Sequence, residues 1–177
     1  MDNFDALQWV LSGDPVPFEI DGVGFAFRQP SPLEMDRMRF AQTKAHDKAL
    51  AEYRADGLGD EPISDALVET KRLYREALEV AYQQANANDD GVAARQAAQD
   101  MEDIDTSWPR SLAEERARDY ARRVLARWIV DNLLAGDRDE LRRLTAPDPL
   151  AHDAVIQATQ RLLAIINHDP NSRRRTQ

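Results

Sequence analysis

Asp21-Gly22 separates two short runs of alternating apolar character, Val16–Ile20 and Val23–Phe27. A type I′ turn needs positive φ at both of its central residues, and Asp-Gly meets that need well. A two-residue turn leaves one register: Ile20 opposite Val23, Phe18 opposite Phe25, Val16 opposite Phe27. Every bulky apolar side chain of the hairpin then lies on one face. Pro17 and Glu19 fall on the other face, opposite Ala26 and Gly24. Bonded pairs alternate from Ile20/Val23, so Pro15 and Pro17 take positions where a missing N–H costs little. After Arg28-Gln29-Pro30, Ser31-Pro32-Leu33-Glu34 combines a serine N-cap, a proline at the first helical position and a glutamate at the third. This is a capping box. The hairpin is therefore expected to lead straight into a helix.

A lone two-stranded hairpin is marginal in water and must pack on something. Two readings stay open for its apolar face. It is a lid over a helical core, or it offers an edge or aromatic surface to another protein. The second reading makes Phe18, Ile20, Phe25 and Phe27 candidate partner-binding residues, together with Trp9 of the preceding segment.

The rest of the chain is patterned as helix, and the expected fold class is mainly α, a bundle of about five to six helices with one small N-terminal β-hairpin. The expected organisation is a single helical domain over 1–170, followed by a disordered basic tail at 171–177. Its parts are an N-terminal helix (2–12), the hairpin (16–28), a helical hairpin (31–88), a weakly ordered connector (86–107) and C-terminal helices (111–167). In the helical hairpin, Ala66, Leu67, Thr70, Leu73, Tyr74, Ala77, Leu78, Ala81 and Tyr82 follow the three-four spacing of a buried face. The connector is rich in alanine and glutamine, with little bulk to bury. Ser111-x-x-Glu114 reads as a second capping box, opening a helix with Val124, Leu125, Trp128, Ile129 and Leu133 on its apolar side. Asp137-x-x-Glu140 caps a short helix, and a last helix buries Val155, Ala158, Leu162, Ile165 and Ile166.

The 177 residues hold 23 basic and 32 acidic side chains, a net charge of −9. A body that negative repels phosphate, which disfavours nucleic-acid binding. Cysteine is absent, so disulfides and thiolate chemistry are excluded. The acidic N-terminus lacks the form of a signal peptide, and no apolar run reaches the length of a membrane span. A soluble cytosolic protein is expected. His46, His152 and His168 lack metal-ligand spacing. No glycine-rich phosphate loop, serine elbow or cysteine nucleophile is present, so neither catalytic nor cofactor-binding nor metal-binding residues are expected. Arg116, Arg118, Arg122, Arg123 and Arg127 share one helix face but are interleaved with acids, as in a salt-bridged solvent face. A helix-turn-helix regulator is disfavoured, because the last helix has Asp153 near its start and Arg161 as its one basic residue.

The sequence FEIDGVGFAFRQPSPLEM resembles the opening of tail assembly chaperones of long-tailed bacteriophages. The matching positions are Phe18–Ile20, Asp21-Gly22, Phe25–Phe27, Arg28, Pro30, Ser31 and Glu34, about a tenth of the chain. The resemblance implies a non-enzymatic protein of the host cytoplasm. Such a protein binds the tape measure protein, keeps its hydrophobic helices in solution and recruits tail tube subunits. The competing expectation is a structural virion protein, either a head–tail adaptor or a tail-tip component.

Overall fold

The computed structural model describes residues 14–168. The expected N-terminal helix with Trp9, and the basic tail at 171–177, lie outside the described residues. The fold is mainly α with a small antiparallel sheet, as expected. Its elements in order are β1 (Val16–Ile20), β2 (Val23–Phe27), α1 (Pro32–Ala55), α2 (Asp65–Ala87), α3 (Gly91–Ser107), α4 (Leu112–Leu133), β3 (Leu134–Ala135), α5 (Arg138–Leu144) and α6 (Asp153–His168).

The chain divides into two compact units where one domain was expected. The first contains residues up to Ala45 and from Tyr120 onward, and the second is His46–Asp119. In the first unit the hairpin has the register that Asp21-Gly22 demands, with Val16 opposite Phe27, Phe18 opposite Phe25 and Ile20 opposite Val23. Both turn residues take positive φ, 49° at Asp21 and 80° at Gly22. The Phe18 ring stacks on Phe25 at 5.6 Å and lies 4.8 Å from Phe27 between centroids. A third strand, β3, pairs with β2 through Ala26/Ala135 and Phe27/Leu134. Two residues are too few to show a period of two, so sequence patterning had no purchase on this strand.

The large apolar core lies entirely in the first unit. It joins Val16, Ile20, Phe25 and Phe27 of the sheet to Met38 of α1, Leu125, Ile129 and Leu133 of α4, Leu141 of α5, and Val155, Leu162 and Ile165 of α6. Helix α6 packs against β1 and β2. The lid reading of the hairpin therefore describes its packing. Phe27 is 0% and Ile20 2% exposed.

The step from sheet to helix is tied by charge. Arg28 donates from Nη1 and Nη2 to the two Glu34 carboxylate oxygens at 2.9 and 2.6 Å, and from Nη2 to the Asn132 carbonyl at 3.0 Å. The Ser31 N–H and hydroxyl donate to Glu34 at 2.9 and 2.8 Å, and the Glu34 N–H donates to Ser31 Oγ at 3.4 Å. The capping box thus forms reciprocally, with Arg28 as an additional partner. These donors hold the Glu34 carboxyl well below the ordinary range, at about 2, with the Arg28 hydrogen bonds the largest cause. A carboxylate with a depressed folded pKa stabilises the fold above its unfolded pKa and loses that contribution as pH falls through the folded value. Glu34→Gln should therefore cost about 1 kcal/mol at neutral pH, discounted because Arg28 faces solvent. The gap between wild type and variant in urea denaturation should close as pH drops from about 4.5 toward about 2. A gap independent of pH would remove the assigned role.

The second unit is built differently. Helices α2 and α3 pair as an antiparallel hairpin. The expectation had been α1 with α2, and a weakly ordered connector where α3 stands. Two local features decide this. Asp90 caps α3 by accepting from Val92 and Ala93 N–H groups at 3.1 and 3.0 Å. Asp89 takes φ 55°, which lets Asn88–Asp90 reverse the chain tightly. The alanines that seemed too small to anchor a helix are what permits close approach: Ala85 of α2 and Ala94 and Ala97 of α3 are buried. Charge adds to this, because Asp105 of α3 receives Lys71 at 3.1 Å and Arg75 at 2.8 Å from α2.

The start of α4 is fastened inside the same unit. The Leu112 and Ala113 N–H groups donate to the carbonyls of Glu61 and Leu58. The expected second capping box is half formed: Glu114 N–H donates to Ser111 Oγ at 3.4 Å, but its carboxylate accepts from Arg110 N–H at 2.8 Å instead. Glu115 is taken by Ser64, the cap of α2, whose N–H and hydroxyl donate to it at 2.7 and 2.5 Å.

Helix α2 buries Ala85 alone. Few apolar contacts mean a low local opening free energy. Amides of α2 and α3 should exchange with deuterium at least about tenfold faster than those of β2 and α6. Equal protection across the two units would contradict this.

Candidate functional site

Ile20, Phe25 and Phe27 were candidate partner-binding residues, and the structure makes them core. Each is at most 5% exposed. Phe18 is half-buried against the same core. The structure therefore brings these four together, but as an interior. Their alternation in a strand identified a buried face, and burial is what such a face most often serves. Trp9 lies outside the described residues.

The arginine face of α4 carries paired charge. Arg127 meets Asp148 at 2.9 Å. On α5, Arg143 pairs with Glu140 at 2.7 Å and Arg142 lies 3.5 Å from Asp139. A groove of about 490 Å³ runs between α4 and α6, lined by Arg122, Ala126, Leu150, Ile156 and Leu163 among others. Among the described residues its lining holds no histidine or carboxylate. Among the described residues no group of three or more His, Cys, Asp or Glu could hold a metal ion, and no helix is long and apolar enough to cross a membrane.

The second unit fully buries mainly small side chains. Its fully buried apolar residues are Ala49, Ala85, Ala94, Ala97, Ala113 and Ala117, with the larger Ile104 and Pro109. Of its larger apolar residues, Leu50, Tyr53, Leu58, Leu67, Leu78 and Trp108 are half-buried, and others are exposed. Val68, Leu73, Tyr74 and Val80 are each at least half exposed on α2, and Val92 is 71% exposed on α3. Scattered exposed hydrophobes are ordinary, and those on α2 point in different directions around it; Leu73 and Val80, seven residues apart, share one stripe.

Charge is partitioned in the same way. His46–Asp119 contains 18 acidic and 9 basic residues, a net of −9 that equals the whole-chain value. The remainder of the sequence balances to zero. On α2, Arg72 donates to Glu69 at 2.8 and 2.6 Å and also to Glu76, which lowers the Glu69 pKa through its hydrogen bonds and raises that of Arg72.

The sequence pattern assigned Leu73, Tyr74 and Tyr82 inward and did not include Val68, Val80 or Val92. The apolar arc of α2 spans Leu67, Leu73, Tyr74, Leu78 and Tyr82, and is wider than one neighbouring helix covers. Leu67 and Leu78 are half-buried, whereas Leu73, Tyr74 and Tyr82 are exposed. The width of the arc was the available signal. No family model matches the chain, and no curated protein sequence or solved structure matches it either.

Proposed function

We propose that this protein is a non-enzymatic tail assembly chaperone of a long-tailed bacteriophage, acting in the host cytoplasm. On this reading it binds the tape measure protein and recruits tail tube subunits. The observation that carries the reading is the second unit: large apolar side chains exposed on α2, in a body with a net charge of −9. An exposed apolar helix face suits a hydrophobic helical client, and like charge keeps the loaded complex from associating further. The resemblance over Phe18–Glu34 supports it. The Arg28, Ser31 and Glu34 positions of that resemblance form one hydrogen-bonded clasp between sheet and helix.

Co-expression with the tape measure protein of the same phage, followed by size-exclusion chromatography, tests the reading. A complex that holds the tape measure in solution and is missing from purified particles is expected. Presence of the protein in mature particles at fixed stoichiometry would overturn it and favour a structural virion component.

A further inference from the structure

Helix α2 carries two adjacent rows of residues at heptad spacing. The first contains Leu67, Lys71, Tyr74, Leu78, Ala81 and Ala85. Ala85 is buried, Leu67, Lys71 and Leu78 are half-buried with Lys71 reaching Asp105 of α3, and Tyr74 and Ala81, at the edge of this row, are exposed. The second row is Ala66, Thr70, Leu73, Ala77, Val80 and Gln84. Its intervals alternate four and three, the repeat that one helix presents to another in a coiled coil. Every member of it is exposed.

The side chains of this second row suit a helical partner. Leu73 and Val80 stand two turns apart at 53% and 52% exposure, as two anchors. Ala66 and Ala77 are small enough to let a second backbone come close. The Thr70 hydroxyl donates to the Ala66 carbonyl at 2.8 Å, so its polar demand is met within the helix and its methyl group remains for packing. Glu69 and Glu76 run along one margin, with Arg72 tied to both. That margin keeps a net negative charge.

Charge selects among the possible occupants. A second copy of this chain would bring another unit of −9 against the first and set acidic margin against acidic margin. A helix with lysine or arginine beside its apolar stripe is instead attracted, and its charges meet Glu69 and Glu76. We propose that the open row of α2, from Ala66 to Gln84, docks a cationic amphipathic helix of another protein. This deepens the chaperone reading and rests on it for the identity of the biological client.

The test uses the full chain and three fluorescent synthetic peptides, each three heptads long. One has leucine at the heptad core positions and lysine at the margins, one has glutamate in place of the lysines, and one is a scrambled form of the first. Fluorescence anisotropy at physiological ionic strength should show binding of the first peptide alone. Leu73→Ser/Val80→Ser should weaken it at least about tenfold, with far-UV circular dichroism and melting unchanged because both positions are exposed. Glu69→Gln/Glu76→Gln should weaken it several-fold, an effect that shrinks as salt is raised.

Equal binding of the scrambled or glutamate peptide would overturn the proposal, as would an unchanged affinity in the Leu73→Ser/Val80→Ser variant. Sedimentation velocity showing a dimer that the same variant dissolves would also overturn it, by making a second copy the occupant. The two readings fail separately. Should that variant still form an undiminished complex with the tape measure protein, the docking surface falls and the chaperone reading stands. Should the lysine peptide bind as described while no tape measure complex forms, the chaperone reading falls and the docking surface stands.

Discussion

Replacing Phe27 by alanine should destabilise the first unit by about 3–5 kcal/mol, measured by urea denaturation at neutral pH. Phe27 is 0% exposed, belongs to the core cluster, and pairs through its backbone with Val16 on one side and Leu134 on the other. Its ring also lies against Phe18. Truncation removes the transfer energy of a whole ring and leaves a void between sheet and helices that tight packing cannot close. Since domains of this size are stable by about 5–15 kcal/mol, the loss is a large fraction of the whole. Phe40→Ala is the matched control, because Phe40 is 70% exposed, and it should change stability by no more than about 0.5 kcal/mol. Phe25→Glu extends the experiment to function. Phe25 is 5% exposed, so a carboxylate there should lower stability along with any partner binding. Loss of binding with melting unchanged would return the hairpin face to the role of an interface.

Leu162→Ala should cost about 2–5 kcal/mol in the same measurement. Leu162 is fully buried on α6, in one row with Val155, Ala158, Ile165 and Ile166. This helix lies against β1 and β2, so its apolar face covers the inner side of the hairpin. Without it the strands present Val16, Ile20 and Phe27 to water, and a hairpin of this size does not persist alone. Unfolding followed through Trp128, which packs against this core, should shift to lower urea. Exchange protection in α2 and α3 provides the contrast. Those helices belong to the other compact unit and to none of the core cluster, so Leu162→Ala should leave their protection pattern nearly unchanged. A change of less than 1 kcal/mol would mean that the core relaxes around the lost side chain far more than close packing allows.

Where a structural decision was local, it could be read directly from the residues. Asp21-Gly22 set the register because a type I′ turn has one geometry, and the observed pairs follow it. Ser31 and Glu34 set the start of α1 because a capping box acts within four residues. The buried row of α6 was visible because one stripe of Val155, Ala158, Leu162, Ile165 and Ile166 faces one core. Asp137 as the cap of α5 belongs with these, accepting from the N–H groups of Asp139 and Glu140.

Pairings between distant elements were another matter. Two residues at Leu134–Ala135 hold no period, so a third strand had no local sign. The choice of α3 over α1 as the partner of α2 rested on alanine, whose small size reads as absence of core when it is in fact the contact. Which apolar residues are covered was the largest reversal. Phe25 and Phe27, named as partner-binding, lie in the interior, and seven of the nine α2 residues expected to be buried are exposed.

The sequence by itself determined the hairpin and its register, the helix caps, the mainly α character and the acidity of the chain. Each of these depends on neighbours within a few residues, or on composition alone. Tertiary structure alone decided which apolar face is covered. Burial is a property of a pair of surfaces, and periodicity describes only one of them. Helix α2 makes the point: Leu67, Leu73 and Leu78 share one apolar arc, and beside α3 Leu67 and Leu78 are half-buried while Leu73 is exposed.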